Sequence, residues 1–350
     1  MDLKEVESAQ TQVAFSNTVN KKKPITPLIK SLFKYDRKGS KTTAVKVAYS
    51  KSSGKILPVG DRSSSNTKNS ANSMGARGRD VVSIESVHVT AFATLDSEEV
   101  QDLPTISDDN SLETFEDQVQ ADIDQIHDSL SITLEMHALG ALKGQVKDKD
   151  GSVLVDLFDK FKIEKATAKV DAKKIVNTKK YSVLELQKMK SKSKEKLKGR
   201  MVKGFAMLCG PLAFQAFMIG EDVQNAVNTA KLKYLLDGFE DGFNYQNIDF
   251  IEYDGGIGEE ELIGESEALL VPIVDGMFQV IPTPGVGSDH VNNKPQKTYI
   301  TTKVLDHNVG VELKGQSNYL VMSDTPDAVV HITIDNIAAA LAMIEEAQEG

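Results

Sequence analysis

Two aspartates in the run DKDG, Asp148 and Asp150 ahead of Gly151, have spacing that invites a chemical reading. Alternate carboxylates before a glycine open a calcium loop, whose first and twelfth positions must supply oxygen to close the cage. In that register those positions are Val146 and Leu157, so the cage fails and Asp150-Gly151 predicts a hairpin turn. GSKTT at 39–43 has the lysine and hydroxyls that end a phosphate-binding loop. Lys41 follows Ser40 rather than glycine, and Tyr35 holds the opening glycine's place, so the backbone cradle is missing. His127 and His137 fall on different faces of a helix, and no HExxH pairs two histidines for zinc. His88, His290, His307 and His331 leave a metal site open, with no spacing in its favour. Cys209 is the single cysteine, which excludes a disulfide framework or a cysteine-built zinc site within one chain. Its apolar surroundings predict an inert thiol rather than a nucleophile. No GxSxG elbow is present, and no pair stands out among 51 Asp and Glu. The residues predict no catalytic site, no cofactor and no metal centre.

With chemistry set aside, charge is the next pattern. Net charge is −10, but it is laid out in blocks: +10 over residues 1–80, −14 over 81–142, +11 over 143–203 and −17 over 204–350. No Lys or Arg stands between Arg79 and Lys143. Blocks of one sign repel themselves and are relieved by a block of the other, in the same chain or on a neighbouring copy. A solvated surface is the plainer reading. The opening MDLKEVESAQ lacks an apolar signal region, and no window approaches the ~18 apolar residues of a membrane span. These features predict a soluble protein from a reducing compartment, with two or three structural units.

Along the chain, residues 1–27 are polar and end in NKKKPITP, which predicts an extended arm, then a short segment LIKSLFK. KTTAVKVAYSKSSGKILPVG alternates around Ser52-Ser53-Gly54 and predicts a strand pair with a turn. Residues 60–80 are nearly all Ser, Asn, Gly and charge, and predict a mobile loop. DVVSIESVHVTAFATL predicts a strand through Val82, Ile84, Val87 and Val89. Then the period changes. Leu112, Phe115, Val119, Ile123, Ile126, Leu130 and Leu134 form one helical stripe, N-capped by Asn110 or Ser111 with Glu113, Glu116 and Asp117 at the positive end of the dipole. Ile132, Met136 and Leu139 widen the stripe, which predicts cover on more than one side near the end. Gly144 closes the helix. From 111 to 142 it would measure about 48 Å, longer than a small domain. The hairpin follows at once. The Lys-rich stretch that comes next turns helical after Ser182 and is open to three readings: a solvated face, a docking surface or nucleic-acid contact. MVKGFAMLCG predicts a buried strand, Pro211 the first position of a helix through Leu212–Leu236, and four further apolar runs predict strands before a final helix at 335–348. The order is α+β, without a βαβ repeat.

Arm, basic loop, strand, strut helix, hairpin and α+β unit, in that order, resemble the major capsid proteins of tailed phages. The specific likeness is to the lambda-type major capsid protein E family with the Hong Kong 97-type fold. QADIDQIHDSLSITLEMHALGALKGQVKDKDGSVLVDLF resembles that family's spine helix running into its D-x-D-G hairpin. GARGRDVVSIESVHVTAFATLDSEEVQDLP is similar to the strand and acidic segment before it, and EALLVPIVDGMF and NYLVMSDTPDAVVHITI resemble later strands.

The resemblance implies an N-terminal arm (1–35), an extended β-loop or E-loop (36–80), and a P-domain of strand, spine helix and hairpin (81–160). It also implies an A-domain with a Lys-rich insertion (161–320) and a C-terminal strand and short helix (321–350). It implies a head protein, not an enzyme, that self-assembles into pentamers and hexamers of an icosahedral procapsid and capsid around double-stranded DNA. Scaffolding protein, portal protein and a decoration protein would be its helpers, the host bacterial cytoplasm its place of assembly, and the virion its destination. In such shells one subunit's β-loop crosses a neighbour's long helix. Arg62, Lys68, Arg77 and Arg79 are then expected to face Glu116, Asp117 and Asp124 of another copy. An encapsulin-like shell around protein cargo is the alternative, and an acidic soluble enzyme with an unrecognised site is a more distant one.

Overall fold

The structure, a computed structural model, describes residues 9–21, 27–35, 38–50, 79–96, 98, 104–105, 108–112, 115–178, 180–197, 199–220, 223–224, 242–253, 263–287 and 293–349. It opens on a helix, α1 (Ala9–Lys21), where polar composition predicts an extended arm. Among its described side chains, Phe15 and Val19 give α1 its apolar contacts. Gln12, Ser16 and Asn20 fill the rest of its inner side, so hydrophobic period does not reveal it. After α2 (Pro27–Ser31) and β1 (Lys34–Tyr35) come β2 (Ala44–Ser50) and β3 (Arg79–Glu85).

β2 pairs with β3, from Ala44 opposite Glu85 to Ser50 opposite Arg79. The expected partner just after Ser52-Ser53-Gly54 lies outside the described residues, and the pairing seen is with a segment much later in sequence, because alternation marks a strand without choosing its neighbour. Most of the expected loop at 60–80 lies outside the described residues, but Arg79 and Asp80 are strand. β4 (Val87–Asp96) follows. Inward positions are even in β3 and odd in β4, and the switch falls at Ser86, whose N–H donates to Thr43 O at 2.9 Å.

β5 (Pro104–Thr105) and β6 (Asp108–Leu112) pair with each other, so α3 (Phe115–Lys143) starts after the expected cap at Asn110 or Ser111. Gly144, at φ 83°, ends α3. β7 (Gln145–Lys147) and β8 (Val153–Asp156) make the hairpin, with Gly151 at φ 80° in its turn.

Then come α4 (Leu157–Phe161), β9 (Ala166–Asp171), α5 (Ala172–Asn177), α6 (Tyr181–Lys196), β10 (Gly204–Cys209) and α7 (Pro211–Met218). Helix α7 ends well before the expected Leu236, and residues 225–241 lie outside the described residues. The rest are β11 (Gly242–Tyr245), β12 (Ile248–Glu252), β13 (Glu267–Ile273), β14 (Phe278–Pro282), β15 (Tyr299–Val304), β16 (Gly310–Ser323), β17 (Val330–Asp335) and α8 (Ile337–Glu349).

Two sheets organise these elements. β16, 14 residues long, pairs with β14, β15 and β4, and β1 extends that sheet. The other runs β11-β12-β10-β13-β17-β9. It is mixed: β10–β12 and β17–β9 are parallel, a feature the lack of a βαβ repeat does not suggest. All six residues of β10 are buried, which accounts for its unbroken apolar run.

Candidate assembly surfaces

Helix α3 meets the rest of the chain in two different ways. Over its first half, Val119, Ile123, Ile126 and Leu130 pack on Val19, Leu95, Ile300, Val311 and Leu313, with only one side of the helix covered. The contact is close. A Cβ on Gly315 of β16 would stand 2.2 Å from Ile126 Cγ2. Over its last third, Leu134, Ala138, Leu139, Ala141 and Leu142 enter the largest core, against Leu28, Ile84, Val146, Val155, Leu157 and strands of both sheets. Cover on several sides, expected from the widened stripe, is what the structure shows there. Gly140 lets β7 lie on the helix, since a Cβ would meet Gln145 O at 2.8 Å.

Polar groups also lock this end. Glu135, 1% exposed, accepts the Leu28 N–H at 2.8 Å. His137 Nδ1 and the Tyr319 hydroxyl are 2.9 Å apart, and burial lowers the imidazole pKa to about 4 against the opposing charge of Asp148.

The uncovered surface of the first half carries acids. Glu116 and Asp117 are exposed in the first turn. Asp124 is half-buried and accepts from Gln120 Nε2 at 2.8 Å. Ile132, 43% exposed, interrupts the polar face. Of the expected basic counterparts, Arg62, Lys68 and Arg77 lie outside the described residues, and Arg79 opens β3 opposite Ser50. The ribbon that bears Arg79 is rooted in the main core through Val45 and Ile84.

A core-rooted ribbon, a half-open strut helix and a hairpin that closes it thus frame two sheets. Phage major capsid protein E describes the family that matches, over residues 11–334. The chain belongs to the phage major capsid protein E family. It is a structural subunit of a phage head, not an enzyme, and forms multimeric shells. A capsid protein of a prophage in E. coli CFT073 shares 10% identity at TM-score 0.57, covering 93% of this chain and 98% of its own. The mature capsid of bacteriophage PhiM1 shares 10% at TM-score 0.50, covering 88% and 87%. These likenesses give the fold, which is the Hong Kong 97 type. An encapsulin from Synechococcus elongatus PCC 7942 aligns at 11% identity and TM-score 0.48, over 92% of this chain and 94% of its own. No curated protein sequence matches the chain.

Seen as a capsid subunit, the Lys-rich segment is partly engaged with its own chain at the surface. Lys192 Nζ donates to Thr167 O at 2.7 Å and Lys190 Nζ to Gln246 O at 2.6 Å. Lys188 pairs with Glu185 at 2.7 Å, and Arg200 Nη1 reaches both Asp324 oxygens at 2.8 Å. The hairpin tip, by contrast, offers apolar surface to the outside: Val153 is 51% and Leu154 40% exposed. Alternation in SVLVD marks a strand but not which side faces out, so the sequence reading passed over this surface.

The remaining chemical candidates are dispersed. His88 hydrogen-bonds Asn318, His127 sits 3.3 Å from Asp128, and His331 is half-buried beside Phe158. His290 lies outside the described residues. Among the described residues no three His, Cys, Asp or Glu gather as a metal site. Cys209 is fully buried, and burial, then the charge of Glu252, raises its thiol pKa well above the ordinary value. Asn20, Ser131, Lys297, Thr298 and Asn318 line a cavity of about 30 Å³, room for about two or three waters. No helix among the described residues is long and apolar enough to cross a membrane.

Proposed function

We propose that shells of this subunit close around double-stranded DNA as pentamers and hexamers, held in register where one copy's basic β-loop crosses a neighbour's α3. The observation that carries the contact is the acidic outer face of α3, with no Lys or Arg before Lys143. Arg62, Lys68, Arg77 and Arg79 would face Glu116, Asp117 and Asp124 of the next copy. Exposed pairs contribute only about 0–1 kcal/mol each, so these charges set register and rate of encounter while apolar burial supplies the strength. The arm, β-loop, P-domain and A-domain division at 35, 80, 160 and 320 belongs to the same reading. So do a scaffolding protein, a portal protein and a decoration protein as partners, assembly in the host bacterial cytoplasm, and packaged DNA held without sequence-specific contacts.

Sedimentation velocity of the purified chain at low and moderate salt, with negative-stain images of fast fractions, tests the reading. Rings, tubes or shells are expected, alone or with co-expressed scaffold, and Glu116→Lys/Asp117→Lys/Asp124→Lys should suppress them. Reversal of Arg62, Lys68, Arg77 and Arg79 to Glu in the same chain should restore them. Assembly unchanged by the first set, at any salt, would overturn the proposed contact. A persistent monomer with scaffold present would overturn the shell reading.

A further inference from the structure

β15 is an edge strand. β16 pairs along one side, and among the described residues no strand lies along the other. In an antiparallel ladder alternate residues turn both backbone groups to the same side. Here Thr298, Ile300 and Thr302 turn theirs away from β16, and α1 meets all three. Asn20 Nδ2 donates to Thr298 O at 2.9 Å while Asn20 Oδ1 accepts the Thr298 N–H at 3.1 Å. Ser16 Oγ accepts the Ile300 N–H at 2.9 Å and lies 3.5 Å from Ile300 O. Gln12 Nε2 donates to Thr302 O at 3.1 Å.

The match is geometric. Positions 12, 16 and 20 advance about 6 Å per step along a helix, and alternate strand residues advance about 6.6 Å. A helix antiparallel to the strand can therefore answer its edge with one polar side chain per two residues. The chain has built a side-chain imitation of a missing strand. Its apolar hold is slight: Phe15 and Val19 face inward, while Val13 is 54% exposed. Most of the attachment is hydrogen bonding, which water can replace at small net cost.

We propose that α1 is a removable cap on this edge, and that lifting it exposes a strand-accepting surface for a second copy of β15. An open edge is a template for another chain, and an identical edge supplies the complement through a two-fold contact. Antiparallel self-pairing centred on Thr301 sets Ile300 of one copy opposite Thr302 of the other. It also places Lys303 opposite Tyr299, so the two ammonium groups stay apart. The cap would keep free subunits from joining through the wrong surface, a role separate from the β-loop contact proposed above.

The test uses the full chain carrying Gln12→Ala/Ser16→Ala/Asn20→Ala, read by amide hydrogen exchange and sedimentation velocity. The Thr298 and Ile300 amides are expected to exchange about tenfold faster, with a concentration-dependent dimer distinct in size from rings or shells. Asn17→Ala/Thr18→Ala, on the exposed side of α1, should change neither reading. Asn20→Ala alone, a milder change that keeps the fold, should release Thr298 and leave Ile300 protected. Unchanged exchange in the triple variant would overturn the cap, and faster exchange without a dimer would overturn the strand-accepting surface.

Discussion

One helix carries two kinds of surface here, and its halves differ in what they are for. The last third of α3 is buried among residues of both sheets, the hairpin and the ribbon base, and even its Glu135 and His137 lie inside. The first half rests one apolar stripe on the five-stranded sheet and leaves an acidic side uncovered. Burial at one end anchors the strut, and the other end keeps a face that the subunit's own core does not need. Such a division suits a protein whose partners are copies of itself, because the exposed face lies outside the packing of its own core.

If the carboxyl end is the anchor, cutting into it should do the most damage. Leu142, 0% exposed, changed to Ala should lower unfolding stability by about 2–5 kcal/mol. Ile132→Ala on the same helix should stay within about 0.5 kcal/mol. Denaturant midpoints at constant slope would measure both, and similar losses at the two positions would erase the contrast.

Acid should act on the same end. His137 is held at about 4 and His331 at about 3, both by burial and below the ordinary value of 6.5. The unfolded chain therefore binds more protons below pH 6.5, and stability falls as pH falls from there towards those values. His137 faces Tyr319 and the charge of Asp148, while Lys165 and then Lys143 lower His331 further. By pH 4, His137 alone should cost about 3 kcal/mol. Urea unfolding of the parent and His137→Gln at pH 7 and pH 4 would show it, with the variant losing less stability between the two. Equal slopes would mean that the buried imidazole is not the sensitive group.

Gly140→Ala sharpens the comparison at the helix–hairpin contact. Alanine favours helix by up to about 1 kcal/mol over glycine, yet its Cβ would meet the backbone oxygen of Gln145 at 2.8 Å. Backbone yields poorly, so the net effect expected is a loss of about 1–3 kcal/mol. A gain in thermal midpoint would show that the hairpin sits loosely on α3.

The pattern of what could be read from sequence follows the same physics. α3, the Asp150-Gly151 turn, the all-buried β10 and the final helix each write their environment into a local period or turn signal. β2 gave its existence but not its partner, because Ala44–Ser50 meets Arg79–Glu85 across a long intervening segment. α1 was invisible as a helix since its inward residues Gln12, Ser16 and Asn20 are polar, chosen to answer a strand edge rather than an apolar core. The acids of α3 were legible as a charge block. Which side of the helix the sheet covers was not.

The smallest effect should come from the exposed end itself. Glu116→Gln/Asp117→Asn removes two acids from the first turn of α3, where they favour the positive end of the helix dipole. The loss expected is no more than about 1 kcal/mol, and it should shrink further in high salt because both groups face solvent. Assembly should respond more strongly, slowing at low salt where steering by charge is greatest and converging on the parent as salt rises. The two readings together are diagnostic. A stability loss of several kcal/mol, independent of salt, would mean that these acids hold the fold, and the amino-terminal half would then be a second anchor rather than a face kept for neighbours.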